Sequence, residues 1–188
     1  MGRKTIEDIL SFNKDFVEGE KYKDFSTSKK PAKKTVILSC MDTRLTELLP
    51  QAMNLKNGDI KLIKNAGATI MHPFGSVMRS IVVAVYEFKA DNIIVIGHHG
   101  CGMSNLDGEG IISKMVDRNV NGETIDILEN SGINIRKWLK GFDSEIEAIK
   151  ESVSSIKNHP LIPEDVNVHG MIMDPETGKL DVVVDGFK

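Results

Sequence analysis

The sequence is poor in several features that mark whole classes of protein. Aromatic residues make up 5% of its 188 residues, with a single tryptophan. Lys and Arg total 24 against 27 Asp and Glu, a formal charge of −3. A nucleic-acid binder concentrates positive charge and stacks bases on rings, so neither count supports one. No stretch of about 18 apolar residues occurs, which leaves no predicted membrane-spanning helix. The opening MGRKTIEDILSF lacks the apolar core and small-residue cleavage site of a secretory signal. Met1 and Gly2 begin as an N-myristoylated protein does, but Ile6 stands where that motif takes Ser or Thr. No G-x-G-x-x-G follows an apolar run, which argues against a dinucleotide-binding domain. These absences point to a cytoplasmic protein that acts on neither nucleic acid nor membrane. Cysteine is scarce too: only Cys40 and Cys101 occur. A pair in a secreted chain suggests a disulfide, whereas in the cytoplasm metal binding or catalysis is the better reading.

What is present is an ordinary globular composition, 40% apolar and 27% charged. The length suits one domain over residues 1–188, with a helix and arm at 1–33 and a core at 34–188. TIEDILSFNKDFVEG predicts an amphipathic helix over 5–18 with Thr5 as N-cap, and YKDFSTSKKPAKK a polar connecting arm. TVILSC (35–40) and DNIIVIG (91–97) read as buried strands, and DIKLIKNAG (59–67) gives a further strand through Ile60, Leu62 and Ile63. TELLPQAMNL reads as a short helix that Pro50 can break. A long helix is predicted from Pro73 to Ala90, and helical patterns recur around 108–118, 123–140 and 143–157. DVNVHGMIMD and KLDVVVDG flank PETG and predict two strands about a turn. No internal repeat or low-complexity segment interrupts the pattern. Strands alternating with helices predict an α/β fold: a mainly parallel central sheet flanked by helices, with an N-terminal helical arm.

Parallel sheets carry their chemistry at the C-terminal ends of their strands. Three such ends are SCMDTR (39–44), KNAG (64–67) and GHHGCG (97–102). Cys40, His98 and Cys101 sit at two of them. Two thiolates and one imidazole suit Zn²⁺, and three protein ligands leave a fourth position open, as a catalytic zinc requires. Iron is the main rival for such soft donors. A closed structural site needs a fourth ligand, for which Asp42 is the nearest candidate. Asp42 and Arg44 stand at i and i+2, where the guanidinium can grip the carboxylate at both oxygens and keep it ionised and off the metal. Each feature alone has an ordinary explanation: a strand-end Cys is commonly a packed small hydrophobe, and an Asp-x-Arg a surface ion pair. Their convergence on strand ends is what carries the metal reading. His99 falls off the ligand spacing, His72 lies near a helix start, and His159 and His169 read as structural or exposed. The glycine of KNAG suggests close backbone approach to the pocket, and the Asp174 to Gly178 stretch reads as a turn.

Cys40-x-Asp42-x-Arg44, then KNAG, then GHHGCG, together resemble the β-class carbonic anhydrases, as does VNVHGMIMDPETGKL near the C-terminus. The likeness runs from about residue 34 to residue 185. CMDTRL and IKNAGA look closer to the compact archaeal and Gram-positive-like branch. Two departures stand out. Lys64-Asn65-Ala66-Gly67-Ala68 replaces a common Arg-Asn-Ala-Gly-Asn, and the long helix has no glutamine. The resemblance implies one Zn²⁺ per chain on Cys40, His98 and Cys101. It implies an Asp42–Arg44 dyad orienting a zinc-bound hydroxide, with Asp42 joining the metal only in a closed state. Ala66 and Gly67 would line the pocket for CO₂ and bicarbonate. The chain would form a homodimer or higher homo-oligomer, its N-terminal helix packing on the partner. The implied reaction is reversible hydration of CO₂. The alternatives are hydrolysis of carbon disulfide or carbonyl sulfide on the same scaffold, or zinc binding without turnover.

Overall fold

The computed structural model describes residues 2–187; Met1, considered above for acylation, and Lys188 lie outside them. Five strands make one sheet in the order β2-β1-β3-β4-β5: β1 Thr35–Cys40, β2 Ile60–Asn65, β3 Asn92–His98, β4 Asn167–Met173 and β5 Leu180–Val184. Every pairing is parallel except that of β4 with β5, which run antiparallel about the 174–179 turn. The α/β expectation therefore holds. All six residues of β1 are buried, as befits a central strand covered on both faces.

Helices α3 (Ser76–Tyr86) and α7 (Glu145–Lys157) cover one face. Their Met78, Ile81, Ile149, Val153 and Ile156 pack on Val36, Leu38, Ile93, Val95 and Ile172. Gly97 and Gly170 let α7 lie close: a Cβ at either would come within 2.8 Å of the Ile149 side chain. The other face meets α2 (Leu45–Ala52), whose Leu45 and Leu49 pack on Ile37, Ile96 and Met173. Helices α4 (Gly108–Asp117), α5 (Gly122–Asn130) and α6 (Ile135–Leu139) form a separate group around Ile112, Ile125 and Ile135.

Several helix readings differ from expectation. Helix α1 runs Gly2–Glu18, so Thr5 lies inside it and does not cap it. The helix expected from Pro73 to Ala90 is shorter, because Gly75 caps its start and the Ala90 N–H turns back to the Ala84 carbonyl with Lys89 left-handed. The pattern over 123–140 divides into α5 and α6 at Gly132, whose φ of 92° no helix tolerates. Part of the polar arm coils into a 3₁₀ turn, Lys21–Phe25. Pro50 does not break α2, which runs through it to Ala52.

Helix α1 (Gly2–Glu18) buries none of its residues within the chain, and its Ile6, Ile9, Leu10 and Phe12 are exposed. Among the described residues no helix is long and apolar enough to cross a membrane.

Ile81, fully buried between α3 and the sheet, tests the first face. Ile81→Ala should lower unfolding stability by about 2–5 kcal/mol, read as a lower urea midpoint at unchanged slope. A loss well under 1 kcal/mol would mean that α3 is not packed as described.

Candidate metal centre

Cys40 ends β1 and His98 ends β3, and these strands are neighbours in parallel register, with Ser39 opposite Ile96. After His98 the chain turns through left-handed Gly100 and brings Cys101 back beneath the strand ends. The ligand atoms of Cys40, His98 and Cys101 all lie within 4.8 Å of one another. The two sulfurs are 3.8 Å apart.

His98 is fully buried. Its Nδ1 lies 3.0 Å from the His99 carbonyl oxygen, which can only accept, so in the neutral ring Nδ1 carries the proton and Nε2 presents a lone pair. That Nε2 is buried and has no hydrogen-bond partner. A buried lone pair without a donor is costly to leave unsatisfied. Aimed among two thiols, it fits a divalent metal, and the donor set suits zinc.

Backbone N–H groups favour negative charge on the sulfurs: those of Asp42 and Gly67 on Cys40, and that of Met103 on Cys101. The two thiols titrate unequally. Cys40 is driven well below the usual thiol range, first by the hydrogen bond from Cys101 and then, against its burial, by His98 and the backbone donors. Cys101 is driven up, first by Cys40 and then by burial. The imidazole of His98 is raised, first by the Cys40 sulfur.

Asp42 and Arg44 follow on the turn into α2. Asp42 Oδ1 accepts from the Arg44 backbone N–H at 2.9 Å and from its Nε at 3.0 Å, and Oδ2 accepts from Nη2 at 2.9 Å. This fork holds the Asp42 carboxyl at about 2, with the Arg44 side chain the largest cause. Arg44 Nη2 also donates to the Gly100 carbonyl at 3.3 Å, and Nη1 lies 3.6 Å from Glu176 Oε1 on the 174–179 turn. Asp42 Oδ2 is 3.6 Å from His98 Nε2, at the edge of the ligand cluster.

The other residues singled out from sequence are placed as follows. Gly67 is buried in the turn after β2 with φ of 76°; Ala66 is half-buried beside it. His99 is exposed, as is His72, whose Nδ1 accepts the Phe74 N–H ahead of α3. His159 and His169 are buried and structural: His159 bridges to the Pro73 carbonyl, and His169 Nδ1 accepts the Gly186 N–H. The backbone donors of Asp42 and Met103 and the reach of Glu176 were not foreseen. Backbone N–H groups leave no trace in residue identity, and only the glycine of KNAG hinted at close approach.

A family model described as "Carbonic anhydrase" matches residues 35–180. A Bacillus subtilis protein named "Putative carbonic anhydrase YtiB" is 55% identical over 182 residues, covering 97% of each chain. The crystal structure of β-carbonic anhydrase isoform I from Trichomonas vaginalis aligns with a TM-score of 0.87 at 30% identity, covering 96% of this chain and 98% of that one. A carbon disulfide hydrolase of Saccharolobus solfataricus is 30% identical over 156 residues, 77% of this chain and 74% of the other. The chain belongs to the carbonic anhydrase family, in its β class, and is an enzyme of that family.

Two measurements check the centre. Cys101→Ala should weaken zinc by more than the roughly 10–100-fold that loss of an outer-shell partner costs, read by competition with a chromophoric chelator; equal affinity would remove Cys101 from the ligand set. Arg44→Gln in the metal-free chain should move the Asp42 titration up from about 2 toward the ordinary carboxylate value of about 3.9. The sign follows from linkage. A depressed carboxyl stabilises the native chain above its unfolded pKa, and that contribution fades as pH falls through the folded value. The variant should lose it at higher pH, seen by carboxyl NMR; an unmoved midpoint would mean that the fork does not set the ionisation.

Proposed function

We propose that the chain catalyses CO₂ + H₂O ⇌ HCO₃⁻ + H⁺, with one zinc ion held by Cys40, His98 and Cys101. The observation that supports this best is the buried, partnerless Nε2 of His98 among two thiols, with an ionised carboxylate held at its edge by an arginine. When bound, zinc supplies a Lewis acid that makes water a nucleophile near neutral pH.

The chain's own residues do the rest. Asp42, kept ionised by Arg44, accepts a hydrogen bond from the attacking water at Oδ2 and sets its orientation toward CO₂. That oxygen also takes Arg44 Nη2 at 2.9 Å, and this grip would hold the carboxylate back from a bound metal. Loss of the Arg44 contact frees Asp42 to fill the fourth position and close the site. Ala66 and Gly67 offer a small apolar wall for CO₂, a substrate with no charge to anchor. The proton leaves to solvent.

The unpartnered apolar side of α1 supports a homodimer or higher homo-oligomer, with that helix on the partner. Two cysteines left as free thiols fit a reducing, cytoplasmic setting. The likeness to a carbon disulfide hydrolase supports a second reading, in which the same residues direct water at carbon disulfide.

Stopped-flow hydration on zinc-loaded protein decides between them. CO₂ hydration should be fast, and Asp42→Ala should lower it roughly 10²–10⁴-fold with zinc content unchanged. Turnover of carbon disulfide without CO₂ hydration would transfer the assignment to the hydrolase reading. Full zinc with neither activity would leave a metal-binding protein without turnover.

A further inference from the structure

Between Cys101 and α7 the chain leaves the sheet to form α4, α5 and α6, then returns through a narrow neck. There the Asn105 N–H donates to the Phe142 carbonyl at 2.8 Å, the Gly141 N–H to the Leu106 carbonyl at 2.9 Å, and the Phe142 N–H to the Met103 carbonyl at 3.2 Å. The neck is tight: a Cβ on Gly141 would lie 1.8 Å from the Met103 carbonyl oxygen. From this neck the Phe142 ring reaches Gly67. A Cβ built on Gly67 would stand 2.7 Å from Phe142 Cε1 and 3.3 Å from Met103 Cγ. Phe142 and Met103 both pack against the cluster that contains Cys40 and Cys101.

Gly67 and Met103 stand beside the two sulfurs: the end of β2 that leads into Gly67 pairs with Cys40, and Met103 lies two residues past Cys101. We propose that Phe142 is a positioning residue of the metal centre, its ring wedged on Gly67 and its backbone fastened to Met103, so that the two turns beside the sulfurs keep their shape. Gly67 is where such a wedge matters. A glycine at φ of 76° has many other conformations open to it, and nothing in its own side chain holds the turn. Outer-shell contacts orient metal ligands, so a residue that fixes the turns beside two of them tunes the centre without touching the metal. The excursion of α4 to α6 thereby gains a link to the site through its neck. The consequence for zinc rests on the metal reading above; the hold on the two turns does not.

The test compares wild type with Phe142→Ala, Phe142→Leu and Ile125→Ala, the last loosening the α4–α6 cluster away from the sulfurs. In the metal-free full chain, amide exchange at Gly67 and Met103 should quicken about 10-fold in Phe142→Ala, and zinc release to a chelator from the loaded chain should quicken by a similar factor. Leu38 and Val95 in the sheet should exchange as before. Phe142→Leu should recover most of the loss, and Ile125→Ala should leave Gly67 and Met103 unmoved. Unchanged exchange at those two amides overturns the proposal, as does equal acceleration in Ile125→Ala. Should Phe142→Ala fail to fold, Phe142→Leu and Phe142→Met carry the comparison: partial acceleration confined to the two amides supports the wedge, and none overturns it. A wild-type chain that takes up no zinc defeats the metal reading alone, while the amide exchange still decides the role of Phe142.

Discussion

Two thiols and an imidazole buried within 4.8 Å of one another make an electrostatic conflict that a metal-free chain resolves only in part. One thiol sheds its proton easily because its neighbour donates to it. The second then holds its own, because a negative sulfur sits 3.8 Å away and burial penalises a second charge. The imidazole lone pair between them has no donor. A divalent cation satisfies all three groups at once, which is why the surroundings read as scaffolding for one.

That scaffolding is mostly backbone. Parallel pairing of β1 with β3 sets the strand ends side by side. The turns that follow bring the His99 carbonyl to His98, and their backbone N–H groups favour charge on the sulfurs. The core beneath is rigid: Ile37, Ile96 and Met173 are almost wholly buried directly under the site. Strain or slippage in the sheet would be felt at the ligands at once, since a packed interior transmits displacement rather than absorbing it.

Asp42 and Arg44 stand apart from this shell because they are partly exposed. Arg44 is shared among Asp42, the Gly100 carbonyl and Glu176, which ties the start of α2 to both the GHHGCG turn and the β4–β5 turn. The carboxylate is therefore held by a group with three attachments, one of them to a well-exposed side chain.

Much of this could be read from the sequence. The strand runs, the parallel class and the late hairpin follow from short apolar β-branched runs set between helical patterns, since burial on two faces demands such residues. Cys40, His98 and Cys101 were named together because their types are metal donors and their runs end there. Helix ends were less legible. Lys89 and Gly132 break the pattern through left-handed backbone, which periodicity does not register. What only the tertiary structure decided is the surroundings of the sulfurs: the turns at Gly67 and Met103, the place of Phe142 against them and the reach of Glu176. Residue identity fixes which side chains can donate to a metal. Which turns and rings close around those side chains depends on how distant segments pack.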